Sequence, residues 1–175
     1  VTTGALLRTI ENPYPGSTDL FGASVAISGN RVVVGAYNDD SSVSNAGRAF
    51  VFNASTGALI STLENPTPLL SDYFGEQVAI DGTIAVIGSY GQDIDGYSSA
   101  GNAYAFDADS GNLIATLENP NPSGNGQYGR GVGIFGTTAI IGAPWDDPGG
   151  TTAAGAAYLF DASNGTYIRQ LVSPE

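Results

Sequence analysis

The side chains best equipped for chemistry are carboxylates, and they gather in three short stretches: NDDSSVSNAG at 38–47, GQDIDGYSSAG at 91–101 and WDDPGGTTAAG at 145–155. Asp40, Asp93 and Asp147 hold matching places, with Asp39, Asp95 and Asp146 beside them. Together with nearby hydroxyls and backbone carbonyls, each stretch offers an all-oxygen donor set of the kind that suits a hard cation such as Ca2+. The competing reading gives these carboxylates to local amides in Asx-type turns. Aromatic residues accompany them: Tyr37, Tyr90 and the single tryptophan, Trp145. An exposed ring in this setting could stack on a sugar or anchor a protein partner.

Catalysis has less to draw on. Histidine and cysteine are absent, so acid–base work would need carboxylate pairs held at different pKa values. The Asp pairs instead recur on equivalent stretches, as structural repeats do, and no Ser or Thr has an evident activating base. A non-catalytic protein is expected. Seventeen acidic residues against five arginines and no lysine give a net charge of −12, which argues against nucleic acid and anionic membranes as partners. No apolar run reaches the length of a membrane-spanning helix, so no membrane insertion is expected. The lack of Cys and Met suits an oxidising exterior, and an extracellular or cell-surface location is expected. Val1 stands in mid-pattern, so any targeting segment is expected to lie outside this sequence.

What must position these stretches is a tandem repeat. FGASVAI (21–27), FGEQVAI (74–80) and YGRGVGI (128–134) recur at offsets of 53 and 54, followed by RVVVGAY (31–37), IAVIGSY (84–90) and AIIGAPW (139–145). AGRAFVFNASTG (46–57), AGNAYAFDADSG (100–111) and AGAAYLFDASNG (154–165) come next, and each copy closes on an aliphatic run such as ALISTLENP (58–66). Every copy holds four strand-sized pieces. The first alternates apolar and small residues from Phe21 to Ile27, and the second is the β-branched run Val32-Val33-Val34. Tight turns at 28–30 and 81–83 join them, and Asx-type turns ending in glycine join the third to the fourth. Asn-Pro-x-Pro links cannot continue a ladder and must connect one copy to the next.

Four antiparallel strands per 53 or 54 residues predict an all-β fold of propeller blades. The expected division is residues 1–15 as the fourth strand of a preceding or neighbouring blade plus a link, then repeats at 16–68, 69–122 and 123–175. The alternatives are a threefold β-prism or a β-trefoil.

These residues resemble the FG-GAP repeat family of integrin α-chains and bacterial extracellular proteins. The resemblance spans residues 2–174 and rests on Phe21-Gly22 with Gly35-Ala36-Tyr37, Phe74-Gly75 with Gly88-Ser89-Tyr90, and Tyr128-Gly129 with Gly142-Ala143-Pro144. It implies that the Phe or Tyr plugs between blades while the glycines allow close backbone approach. It also implies a role in adhesion or recognition. Integrin-type blades often carry a calcium loop between their first two strands, where this chain has only SGN, DGT and FGT. Such short turns cannot supply six or more oxygens.

Three blades cannot close alone, since propellers use four to eight. The chain is therefore expected to be part of a larger propeller or a homo-oligomer. Its expected partner is a protein, a glycan or copies of itself. Adhesion or recognition, a self-assembling building block and a lectin are the three functional expectations.

Overall fold

The computed structural model describes residues 4–148 and 153–172, so part of the third acidic stretch lies outside the described residues. Three sheets are present. β1 (Val25–Ser28), β2 (Arg31–Ala36), β3 (Arg48–Asn53) and β4 (Leu59–Glu64) form the first; β5 (Val78–Asp81), β6 (Ile84–Ser89), β7 (Asn102–Asp107) and β8 (Leu113–Leu117) the second. β9 (Gly131–Phe135), β10 (Thr138–Ala143), β11 (Ala156–Asp161) and β12 (Thr166–Val172) form the third. Each is an antiparallel meander in chain order. The register slips at one equivalent place in each outer hairpin, between Val51 and Phe52, Ala105 and Phe106, and Leu159 and Phe160.

Local chemistry accounts for the meander. Gly29, Gly82 and Gly136 take positive φ in the first hairpin, which the matching twist of such turns requires. In the outer hairpin the carboxamide or carboxylate of Asn53, Asp107 or Asp161 accepts the amide two residues on. The Asn-Pro-x-Pro links pivot on their asparagines: Asn12, Asn65 and Asn119 each accept the amide two residues ahead. The side-chain amides of Asn12 and Asn65 reach forward to Asp19 and Asp72. Asn119, whose copy has Gly126 at that place, turns to the Ala100 carbonyl.

Two expectations are modified. The first strand was expected to run from Phe21, but β1 begins at Val25. Gly22, Gly75 and Gly129 sit at φ near 90°, which breaks the pleat and turns the preceding aromatic ring off the strand and onto the sheet face. Residues 1–15 were expected to hold a fourth strand, yet residues 4–10 are not part of any of the twelve strands.

The sheets stack face to face. We call the face of a blade toward lower residue numbers its leading face and the opposite one its trailing face. On the first joint, Val33, Ala49, Val51 and Leu63 meet Phe74, Val78, Ile80, Tyr104 and Phe106. On the second, Val86, Ala103, Ala105 and Leu117 meet Tyr128, Ala139, Ile141, Tyr158 and Phe160. The plug residues Phe74 and Tyr128 are fully buried, each edge-on to a Phe at the third strand's end, Phe106 and Phe160. Glycine is obligatory at the joints: a Cβ on Gly35 or Gly88 would lie 1.9 Å from the carbonyl oxygen of Gly75 or Gly129. Among the described residues no blade precedes blade 1. Its leading residues Phe50 and Phe52 are covered by Phe21 and by Ile10 of the N-terminal segment.

A candidate recognition face at one end of the blades

The loops joining second to third strands and the lead-ins to Phe-Gly lie together at one end of the stack, tied across each joint by backbone hydrogen bonds. Ser71, Tyr73 and Phe74 donate to the carbonyls of Ser44, Asn45 and Ala46, and Asn125, Gln127 and Tyr128 donate to Ser98, Ser99 and Ala100. Because the sheets fix these loops, the aromatic residues on them line up. Tyr37 meets Tyr73 edge-on at 6.0 Å. Tyr73 stacks on Tyr90 at 5.2 Å with planes 13° apart. The Arg130 guanidinium then lies 4.8 Å over the Tyr90 ring, a favourable cation–π placement. Burial raises the Tyr90 pKa, with the Glu76 carboxylate adding to the effect, so the Tyr90 phenol stays neutral.

Arg130 also borders a groove of about 660 Å3 whose walls include Asn125, Gln127, Pro144, Trp145 and Asp147. Trp145 is 55% exposed, a large apolar ring left open at the rim. Gln127 accepts a hydrogen bond from Arg130 at 2.8 Å, which steadies the guanidinium along the groove wall. The combination of one open indole, a cation, a carboxylate and two amides is suited to a polar ligand with an apolar face.

The acidic residues serve mostly their own loops. Asp40, Asp93 and Asp147 each accept a main-chain amide farther along the loop, from Asn45, Ser99 and Ala153 respectively. Asp39 and Asp146 are buried, and Gln92 takes the same place in blade 2. Each finds a partner on the third strand. Asp39 pairs with Arg48 at 2.7 Å, Gln92 accepts the Tyr104 hydroxyl at 2.6 Å, and Asp146 accepts the Tyr158 hydroxyl. Blade 1 carries Phe50 where the others have tyrosine, and Arg48 supplies the missing donor from two residues earlier. Burial, then the hydrogen bond to Asp146, pushes the Tyr158 phenol up and keeps it a donor. Asp95 lies between Ile94 and Tyr97, which form a small bridge of their own. Among the described residues no three acidic side chains converge as a metal-binding group.

Of the sequence candidates, Trp145 and Asp147 share the groove, while Tyr37 and Tyr90 share the aromatic row beside it. Tyr73, Gln127 and Arg130 are the residues that sequence reasoning missed. The available signal was variation. Leu20, Tyr73 and Gln127 are equivalents, as are Ala23, Glu76 and Arg130, and partly or fully exposed positions that differ between copies lie outside the repeated core.

A model of the FG-GAP repeat matches residues 15–52, 69–106 and 112–160, together most of the chain. The chain belongs to the FG-GAP repeat family. No curated protein matches it. Among solved structures, the computationally designed Ika4 protein aligns with a TM-score of 0.59 at 18% identity, over 96% of this chain and 79% of Ika4. The designed Ika8 protein gives 0.53 at 17%, over 85% of this chain and 36% of its own. BamB from Moraxella catarrhalis gives 0.52 at 18%, over 87% of this chain and 38% of BamB. This FG-GAP chain thus spans little more than a third of Ika8 and BamB. At such identities the likeness bears on fold alone, and the fold is a stack of propeller blades.

Proposed function

We propose that this FG-GAP chain is a non-catalytic recognition module of the cell exterior, which binds a glycan on the end carrying Trp145. The observation that carries the reading is the groove in which a half-exposed indole faces Arg130 and Asp147. Sugar recognition favours such a mixture: the C–H face of a pyranose lies on the ring while hydroxyls find charged and amide partners. Rigid support comes from the cross-joint backbone bonds at Asn125, Gln127 and Tyr128, which hold one wall of the groove against blade 2. A merely structural tryptophan would be expected to bury its ring, and this one does not.

The test is a glycan array followed by titration of the best binder against the parent and Trp145→Ala. Binding should weaken about 10-fold or more on losing an aromatic anchor, with the fold unchanged. A parent that binds no glycan, or a variant that binds as well as the parent, removes the reading.

A further inference from the structure

A second groove, of about 710 Å3, runs along the joint between blades 2 and 3. Both of its walls belong to a joint inside the chain. One wall is β8 with the link that follows it, from Ile114, Ala115 and Thr116 to Glu118 and Pro120. The other is the outer hairpin of blade 3, with Asn164 and Tyr167. Successive residues of a strand point to opposite faces, so three in a row mean that the groove follows the edge of β8. This strand is the last of its sheet, and such an edge carries main-chain amides and carbonyls without a ladder.

The same seam between blades 1 and 2 makes bonds that this one lacks. There the Ser61 hydroxyl crosses to the Ala108 carbonyl at 2.7 Å, and Ala115, in Ser61's place, has no hydroxyl to send. Glu64 has the Arg48 guanidinium at 3.9 Å. Asn102 stands in Arg48's place in blade 2, so Glu118, the equivalent of Glu64, has no such cation. The ion pairs among the described residues join Arg31 to Asp109, and Arg48 to Asp39 and Glu64. They include neither Glu118 nor Asp95, the second carboxylate of the groove. The loop-closing bond to the Ser99 amide falls to Asp93, not to Asp95. No arginine lines the groove among the described residues. Tyr167 completes it, standing where the other copies have Leu59 and Leu113. Its side chain is 45% exposed and meets Phe160 edge-on at 5.5 Å. An open phenol ring beside carboxylates attracts a cation over its face.

We propose that this groove takes an extended basic segment of a partner protein, whose main chain adds to the edge of β8 while its Lys or Arg side chains reach Glu118, Asp95 and the Tyr167 ring. The groove's own chemistry selects that occupant. Two carboxylates without a counter-charge and an exposed aromatic ring call for cations, and an unpaired strand edge calls for a main chain. A second copy of this chain is a poor source, because it has no lysine and its net charge of −12 repels its like. The groove shares no lining residue with the one at Trp145, so the two sites are independent.

The test is calorimetric titration with a short peptide of alternating Lys and Val, the matching Glu and Val peptide, and spermidine. The parent should bind the Lys peptide, more weakly as salt rises, and should not bind the Glu peptide. Asp95→Asn combined with Glu118→Gln should weaken binding about 10-fold, the worth of two exposed charge pairs. Both side chains are exposed, so folding should be retained, and circular dichroism checks it. Glu64→Gln and Trp145→Ala should leave binding unchanged. Methylating the main-chain nitrogens of the peptide should weaken it, since strand addition needs them as donors. A parent that binds no Lys peptide at low salt overturns the proposal. So does a double variant that binds as the parent does, which would mean diffuse attraction to an acidic surface. Spermidine bound as tightly as the peptide, or a methylated peptide bound as well as the plain one, overturns strand addition at β8 and with it the proposal.

Discussion

The joint between blades 2 and 3 and the bare end of blade 3 are built from the same positions, yet they differ in what those positions must endure. At the joint, Gly88 has a neighbouring carbonyl where its side chain would be, Ala103 and Ala105 are sealed, and Leu117 is fully buried. At the end, Gly142 has free space, Ala157 and Leu159 are partly open, and Leu171 is 41% exposed. The same comparison separates packing from recognition. Residues at the joints repeat from copy to copy, whereas Arg130, Gln127 and Trp145, which border the groove, have no like residue in the other copies.

Paired substitutions would break or sharpen this contrast. The widest gap is expected between Gly88→Ala and Gly142→Ala. The first drives a methyl into the Gly129 carbonyl and should cost about 3 kcal/mol or more, as overpacking against backbone does. The second should change monomer stability by less than about 0.5 kcal/mol, the usual surface range. Urea unfolding would measure both. Equal costs would mean that the two sites are not packed as described.

The next gap separates Leu117→Ala from Leu171→Ala. Emptying the sealed site should cost about 2–5 kcal/mol, and the half-open one less than half as much, because part of that side chain already meets water. Urea unfolding would show the ratio.

The smallest effect is expected at Asp72, which is buried in blade 2 with one carboxylate oxygen lacking a partner among the described residues. Burial raises its pKa, opposed by the hydrogen bonds from the Leu69 amide and Asn65. The folded protein therefore holds this proton more tightly than the unfolded chain. Its contribution is most favourable below the unfolded carboxylate pKa and declines as pH rises through the folded one. Asp72→Asn cannot titrate, so its thermal midpoint relative to the parent should improve as pH rises from 3 to 7. A constant difference across that range would remove the assignment.

Much of this arrangement was legible in the chain. The offsets of 53 and 54 define the copies, and β-branched runs with Asx turns define their strands, because both are set by near neighbours. The start of β1 was not legible: Gly22, Gly75 and Gly129 turn the backbone only because each has a carbonyl of its own second strand, Gly35, Gly88 or Gly142, to bind. The acidic loops admitted two readings, a cation site and Asx-type turns, because the sequence does not say where their amides point. Folding shows Asp40, Asp93 and Asp147 closing their own loops. The groove was half legible, with Trp145 and Asp147 found and Arg130 missed, since only stacking brings blade 3's lead-in beside Tyr90.

By itself, the order of residues determined the repeat, the four strands of each blade and the family, because hydrophobic alternation and turn chemistry act over a few residues. Which faces are sealed and which are bare was decided only by stacking, because burial depends on a neighbour some fifty residues away. The same holds for the line of Tyr37, Tyr73, Tyr90 and Arg130, whose rings and charge meet across joints that no single repeat contains.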